Sequence, residues 1–122
     1  IAQGIVVRIT DDIQAGLLPI KHMLALYVGG MGAKDRNFHK ELISRMGFEA
    51  EANKIQALYL AGRKDEAAHA VPDQLADEIA LVGPAARIRE RLAAWRETPV
   101  TSLLISARSA AEMRTVAELV LG

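Results

Sequence analysis

Three histidines are the side chains best suited to bind a metal or to move a proton near neutral pH. Their positions, His22, His39 and His69, do not match the spacing of metal-ligand motifs, and the chain has no cysteine to supply a thiolate. We therefore predict no metal site and no thiol nucleophile. His39 follows Arg36 and Asn37 closely, so this polar group either contacts a substrate or forms a solvated helix start.

A glycine-rich segment covers residues 29–32, where three of four residues are glycine. Backbone amides of such a segment can surround a phosphate, but the sequence matches neither a P-loop nor a dinucleotide fingerprint. Glycine also tolerates positive φ and disfavours helix. The segment predicts a flexible loop that ends a helix, with a phosphate site as the alternative.

The charge pattern argues against a nucleic-acid partner. Fifteen Lys and Arg balance fifteen Asp and Glu, whereas binding to phosphate backbones requires an excess of positive charge. Glutamates stand between or next to the clustered arginines Arg87, Arg89, Arg91 and Arg96. Such a mixture of charges is typical of a solvated helix face with ion pairs.

Composition predicts a globular chain that neither crosses nor anchors in a membrane. Of its 122 residues, 51% are hydrophobic and 25% charged, which suits one domain or part of one. No apolar run reaches the roughly 20 residues of a membrane helix. The absence of cysteine favours a reducing compartment, so we expect a cytoplasmic protein. The chain starts without Met or a basic leader, and we expect it to be the middle of a longer protein.

Two segments have the nearly continuous apolar character of strands buried on both faces: Gly4 to Thr10 and Val100 to Ser106. Asp11 and Asp12 follow the first strand and are placed to cap a helix that begins near Ile13.

Apolar spacing, prolines and glycines predict helices through most of the remaining chain. The first helix begins near Ile13 and either kinks or restarts at Pro19, and we favour the restart. The others are one with the apolar face Phe38, Leu42 and Met46, closed by Gly47; one with Ala52, Ile55, Leu58 and Tyr59, closed by Gly62; Lys64 to Val71; Pro72 to Leu81; one after Pro84 with Ile88, Leu92 and Trp95 facing inward; and a last helix, opened by the capping box Ser109 to Glu112, with the inner face Met113, Val116 and Val120.

This order of elements predicts a helix-rich α/β protein whose two strands are parallel. Two parallel strands with unprotected edges are not stable alone, so further strands are expected elsewhere. For the same reason we expect the isolated chain to associate with itself.

Several segments, in this order, resemble the luciferase-like oxidoreductases. The stretch from Leu81 to Leu92, followed by Val100 to Ile105, resembles the C-terminal signature of that family. Ala25 to Gly32, Ala61 to Ala67 and Val71 to Asp73 are similar to its deazaflavin-dependent branch, which is found in actinobacteria. Thr98-Pro99 departs from the small residue and glycine that often precede Val100.

The resemblance implies a (β/α)8 TIM barrel, of which 122 residues can hold only the C-terminal part. It implies that Gly4 to Thr10 is barrel strand seven and that Val100 to Ser106 is strand eight. Between them, Asp12 to Leu81 would hold a helix and a helical insertion at about 29–81. The whole chain would then be one fragment of a single barrel domain.

Active sites of such barrels lie at the carboxyl ends of the strands, which makes Thr10 and Ser106 candidates. With Asn37 and His39 they form our set of candidate substrate contacts. The family's cofactor and hydride-transfer groups come mostly from strands one to six. We therefore assign no catalytic or cofactor-binding residue to this chain.

The resemblance implies that a longer parent protein transfers a hydride between coenzyme F420, a deazaflavin, and a small organic substrate. On this expectation the isolated chain is inactive, and the protein is a homo-oligomer without a nucleic-acid partner. One alternative is a flavin-mononucleotide (FMN) monooxygenase of the same superfamily. Another is a small helical interaction module without catalytic activity.

Overall fold

The computed structural model describes all residues 1–122 and divides them into two compact units. The sheet unit contains Ile1–Gly16 and Asp77–Gly122, and the helical unit contains Leu17–Ala76. No helix in either unit has both the length and the apolar character needed to cross a bilayer.

The sheet has three parallel strands in the order β2-β1-β3. β1 spans Ala2–Ile9, β2 spans Ala80–Gly83 and β3 spans Ser102–Ser106. The two predicted strands are therefore neighbours and parallel, with Ile5 paired to Ile105, and the predicted helix-rich α/β class is confirmed.

β2 was not predicted from the sequence. The helix expected over Pro72 to Leu81 ends at Glu78, and the next residues form a strand that is buried throughout. A short continuous apolar run does not distinguish a buried strand from a buried helix, which explains the error. Thr10 N–H donates to the carbonyl oxygen of Gly83 over 3.0 Å, so the ends of β1 and β2 are joined.

β3 is not buried on both faces, as its sequence had suggested. Leu103 and Ile105 are half-buried against the core, while Leu104 between them is 63% exposed. Ser102 and Ser106 are exposed beside Leu104, so one face of this strand is uncovered. The continuous apolar pattern therefore overstated the burial of β3.

The core of the sheet unit lies between the strands and two helices. The helices are α6 at Ala85–Arg96 and α7 at Ala110–Leu121; the buried core residues are Ile5, Val7, Leu81, Ile88, Leu92, Val116 and Leu119. Ile88 and Leu92 face inward as predicted, whereas Trp95 is only partly buried. On α7 the inner position expected for Met113 is wrong, because this residue is 41% exposed and Leu119 is buried instead.

Asp77 fixes the segment that leads into β2. Its carboxylate accepts hydrogen bonds from Arg87 over 2.8 Å and from Arg91 over 3.1 Å, and Arg91 also donates to the carbonyl oxygen of Ala80. Two arginines of the cluster expected to be a solvated face are thus half-buried and structural.

The helix α1 runs from Ile13 to Ala25 without the restart predicted at Pro19. Asp12 caps its first turn as expected, because Asp12 Oδ1 accepts from the Ala15 N–H over 3.1 Å. Pro19 cannot donate to the preceding turn, yet its exposed position within the helix is tolerated.

Gly29 and Gly30 belong to a π-helical segment, Leu26–Gly30, and not to the predicted flexible loop. A Cβ atom on either glycine would overlap the side chain of Tyr59, so helix packing requires glycine there. Gly32 alone in this stretch has a positive φ, of 127°. The glycine-rich sequence gave no sign that Gly29 and Gly30 lie close to Tyr59.

Four further helices complete the helical unit: α2 at Phe38–Ile43, α3 at Glu49–Leu60, α4 at Lys64–His69 and α5 at Asp73–Glu78. A second π-helical segment, Ser44–Phe48, joins α2 to α3 and bends at Gly47, where φ is 98°. The predicted helix ends at Gly47 and Gly62 are therefore confirmed by their positive φ.

The apolar stripe predicted for α2 does not face the core. Phe38 is 71% exposed, Leu42 44% and Met46 42%, while Ile43 is the buried residue of this helix. In α3, by contrast, Ala52 and Ile55 are fully buried as expected.

Candidate functional site

The carboxyl ends of β1 and β3 meet at one edge of the sheet, because the two strands are parallel and adjacent. In parallel α/β sheets this edge is where ligands bind. Ser106 is the last residue of β3, and Thr10 directly follows β1. The sheet unit thus brings two of the four candidate residues to the same edge.

Thr10 uses its hydroxyl in a local turn. Its Oγ1 accepts from the Asp12 N–H over 3.1 Å, and its methyl group lies beside Gly16. Because the hydroxyl is engaged in starting α1, the geometry favours a structural role for Thr10.

Ser106 has an exposed side chain, and the structure gives its hydroxyl no hydrogen bond. It pairs with Val6 across the sheet, so its side chain lies on the uncovered face described for β3. Ser106 stays a candidate substrate contact.

Arg8 lies on the same sheet face as Ser106. It was not selected from the sequence as a candidate site residue. Two residues beyond Val6 on β1, it shares the face of Ser106. Its Nη1 donates to the carbonyl oxygen of Val7 over 2.8 Å and to that of Ser106 over 3.3 Å. The available signal was a charged residue inside an otherwise apolar strand.

Glu112 joins the end of β1 to the start of α7. The predicted capping box forms in one direction, with Ser109 Oγ accepting from the Glu112 N–H over 3.1 Å. The Glu112 carboxylate, however, accepts from the backbone amides of Ile9 over 2.9 Å and Arg108 over 2.7 Å. Burial opposes ionisation of this carboxyl, but hydrogen bonds from Arg108 and Ile9 outweigh it and lower the pKa of Glu112.

Asn37 is buried, with 2% of its surface exposed, in the helical unit. Its amide nitrogen donates to the carbonyl oxygens of Val28 over 2.7 Å and Tyr27 over 3.3 Å. Its oxygen caps α2 by accepting from the Lys40 N–H over 3.0 Å. With both ends of the amide engaged, the geometry favours a structural role for Asn37.

His39 is half-buried next to two aromatic rings. Its ring centroid lies 4.7 Å from that of Tyr27 and 5.7 Å from that of Phe38. The structure gives its ring nitrogens no hydrogen bond, so His39 stays a candidate contact. Asn37 and His39 belong to the helical unit, and Thr10 and Ser106 to the sheet unit.

Gln56, which the sequence analysis did not single out, is the other buried polar residue of the helical unit. Its oxygen accepts from Lys40 Nζ over 2.7 Å, and its nitrogen donates to the carbonyl oxygen of Lys34 over 3.2 Å. It thereby connects the loop before α2 to α3.

None of the cavities in this chain encloses a cofactor ring. The cavity at the carboxyl end of β1, beside Arg108 and Glu112, has a volume of about 480 Å³ and is open to solvent. A more apolar cavity of about 230 Å³, beside Trp95 and Val100, lies at the amino end of β3. Nowhere do three metal-ligating side chains converge. The residues present do not by themselves fit a flavin or deazaflavin.

Comparison with known proteins identifies the family. Residues 2–102 match the model of the luciferase-like monooxygenases, so this chain belongs to that family of oxidoreductases. Its sequence is 43% identical over 114 residues to a Mycobacterium tuberculosis protein named "Putative coenzyme F420-dependent oxidoreductase Rv3520c".

That alignment covers 93% of this chain but only 33% of the relative, so the chain spans about a third of the relative's length. No solved structure matches the chain.

Proposed function

We propose that this chain is the C-terminal portion of a coenzyme F420-dependent oxidoreductase that transfers a hydride between the deazaflavin and a small organic substrate. The observation that carries the proposal is the 43% identity to the mycobacterial relative, whose name specifies this cofactor. The identity extends over 93% of the chain and includes both units.

In this proposal β1 and β3 are barrel strands seven and eight of one barrel domain, with a helical insertion at about 29–81 between them, and β2 is an additional short strand paired with β1. The chain contributes one wall of the active-site mouth, where Ser106 and Arg8 share the uncovered sheet face. His39, in the helical unit, is a separate candidate substrate contact. The deazaflavin supplies the hydride chemistry, and most groups that hold it belong to the part of the relative's length that this chain does not cover.

An FMN-dependent monooxygenase is the second candidate, because the matching family model is described as luciferase-like monooxygenase. The two candidates share the fold and differ in the cofactor. Cofactor binding therefore discriminates between them.

The test is to titrate F420 and FMN separately into the chain and into a longer polypeptide that contains it, following cofactor fluorescence. We expect the longer polypeptide to bind F420 and the chain alone to bind neither cofactor tightly, because a cofactor site needs walls from several strands. Selective binding of FMN would support the monooxygenase. Binding of neither by the longer polypeptide would contradict both and favour the non-catalytic helical module.

A further inference from the structure

Three arginines of this chain are half-buried: Arg8, Arg87 and Arg91. The side chains of Arg87 and Arg91 are 31% and 27% exposed, and both form ion pairs with Asp77. Arg8 forms no ion pair, and its hydrogen bonds go to two carbonyl oxygens. Arg8 is therefore the exception among the half-buried arginines.

Carbonyl oxygens satisfy individual N–H groups but leave the net charge of a guanidinium uncompensated. Only Nη1 of Arg8 takes part in its hydrogen bonds, so Nε and Nη2 keep donors for another partner. These two nitrogens form the planar fork that binds carboxylate or phosphate in a bidentate manner.

Ser106 adds a second donor on the same sheet face as the Arg8 guanidinium. Arg8 Nη1 lies 3.3 Å from the carbonyl oxygen of Ser106, and the Ser106 hydroxyl is exposed on the same sheet face. Both residues stand at the carboxyl edge of the parallel strands. A guanidinium and a hydroxyl at such an edge are the donor set of an oxyanion site.

We infer that Arg8 and Ser106 form a binding site for an oxyanion, either a carboxylate or a phosphate group of a small ligand. The site consists of this chain's own residues and requires no flavin or deazaflavin. Its failure would leave the proposed cofactor untouched, and failure of the proposed cofactor would leave this site untouched.

The experiment is NMR on the ¹⁵N-labelled 122-residue chain, titrated with inorganic phosphate and, separately, with acetate at constant ionic strength. We expect a saturable shift of the Arg8 side-chain Nε–H signal with at least one of the two anions. The anion that binds more tightly identifies the chemistry of the ligand. Arg89, which is exposed on α6, is the internal reference and should show only a small, linear shift.

Variants assign the binding to the two residues. Arg8→Gln should weaken anion binding about tenfold or more, and Ser106→Ala about threefold, because each removes donors to a charged partner. Arg89→Gln is the matched control and should bind as the wild type does. If Arg8→Gln does not fold, Arg8→Lys keeps the charge without the fork and should still bind more weakly. Equal linear shifts at Arg8 and Arg89, or unchanged affinity in the Arg8 variant that folds, would overturn the inference.

Discussion

Glu112 illustrates how one carboxylate can position both a strand and a helix. Only 8% of its side chain is exposed, and its oxygens accept the backbone amides of Ile9 and Arg108. The bond from Ile9 forms only when β1 and α7 are both in place, and both bonds favour the charged carboxylate in the folded state.

Replacing Glu112 by Gln should change the pH dependence of stability. The pKa of Glu112 is lowered on folding from an ordinary value of 4.5. The ionised carboxylate therefore stabilises the fold above pH 4.5, and this contribution is lost as the pH falls through the lower folded pKa. At pH 7 we expect Glu112→Gln to lose about 1–3 kcal/mol. Urea unfolding between pH 7 and pH 3 would measure this, with a shallower acid loss in the variant.

Glu118→Gln on the exposed side of α7 is the control for that experiment. It should leave both the stability at pH 7 and the acid loss close to wild type. Identical acid profiles for the two variants would show that the Glu112 carboxylate has no special role.

Trp95 should contribute less to stability than a fully buried tryptophan, because it is only partly buried and lines an open cavity. Truncating a buried Phe or Trp costs about 3–5 kcal/mol, and partial burial reduces this. We expect Trp95→Ala to cost about 2 kcal/mol. Leu92→Ala, at a position only 5% exposed, should cost at least as much in the same urea titration.

Among the helices, the π-helical segment Leu26–Gly30 depends on close packing against α3. A Cβ at Gly29 would meet the Cβ and Cγ of Tyr59, which are attached closely to the α3 backbone and cannot easily move. We expect Gly29→Ala to destabilise the chain by about 1–3 kcal/mol despite the helix preference of alanine. Thermal unfolding followed by circular dichroism would measure the loss.

Gly4→Ala is the comparison, because a Cβ at Gly4 meets nothing within 4 Å. A melting temperature of Gly29→Ala at or above that of Gly4→Ala would show that Tyr59 can move aside.

β2 is only four residues long and has few hydrogen bonds of its own to hold it in the sheet. We therefore expect its stability to depend on the ion pairs of Asp77, which lies just before it. Asp77→Ala would leave Arg87 and Arg91 half-buried without a carboxylate. We expect a loss of about 2 kcal/mol, less than for a fully buried pair because all three side chains are partly exposed. A double-mutant cycle with Arg87→Ala would isolate the pair, and a coupling energy near zero would contradict the prediction.

The sequence allowed prediction of elements with strong local signals. Asp12 and Ser109 mark helix starts, Gly47 and Gly62 mark helix ends, and β1 stands out by composition. β2 was missed because a run of four apolar residues shows no hydrophobic periodicity that would distinguish a strand from a helix. The packing of Gly29 and the ion pairs of Asp77 depend on residues distant in sequence, which local patterns do not reveal.

The candidate site was less predictable than the fold, because function depends on what a side chain already binds. Asn37 and Thr10 looked available, yet both are engaged within the fold. Arg8 was passed over as a strand residue, although it is the half-buried arginine without an acid.

The chain leaves one sheet face uncovered along β1 and β3, with Leu104 63% exposed beside Gly4, whereas Val82 of β2 on the same face is buried. Exposed apolar strands promote association. We propose that the chain forms homo-oligomers through Leu104 and the amino end of β1, leaving Arg8 and Ser106 at the carboxyl edge accessible, and we expect Leu104→Lys to shift it toward monomer. Sedimentation velocity at several concentrations would measure the shift. Ala93→Lys, at an exposed position of α6, is a control that adds the same charge. Equal sedimentation of both variants would place the contact elsewhere.

The hydrogen bond from Thr10 to Gly83 has a consequence for how such chains diversify. Residues 10–79 leave the sheet at the carboxyl end of β1 and re-enter it at the amino end of the parallel strand β2. The 3.0 Å hydrogen bond from the Thr10 N–H to the Gly83 carbonyl oxygen and the pairing of Val6 with Ala80 hold the two strands side by side. The length and sequence of the connection can therefore change at little entropic cost, since lengthening a loop whose ends are already held adds little. We expect related chains to differ more in this connection than in the two strands that it joins.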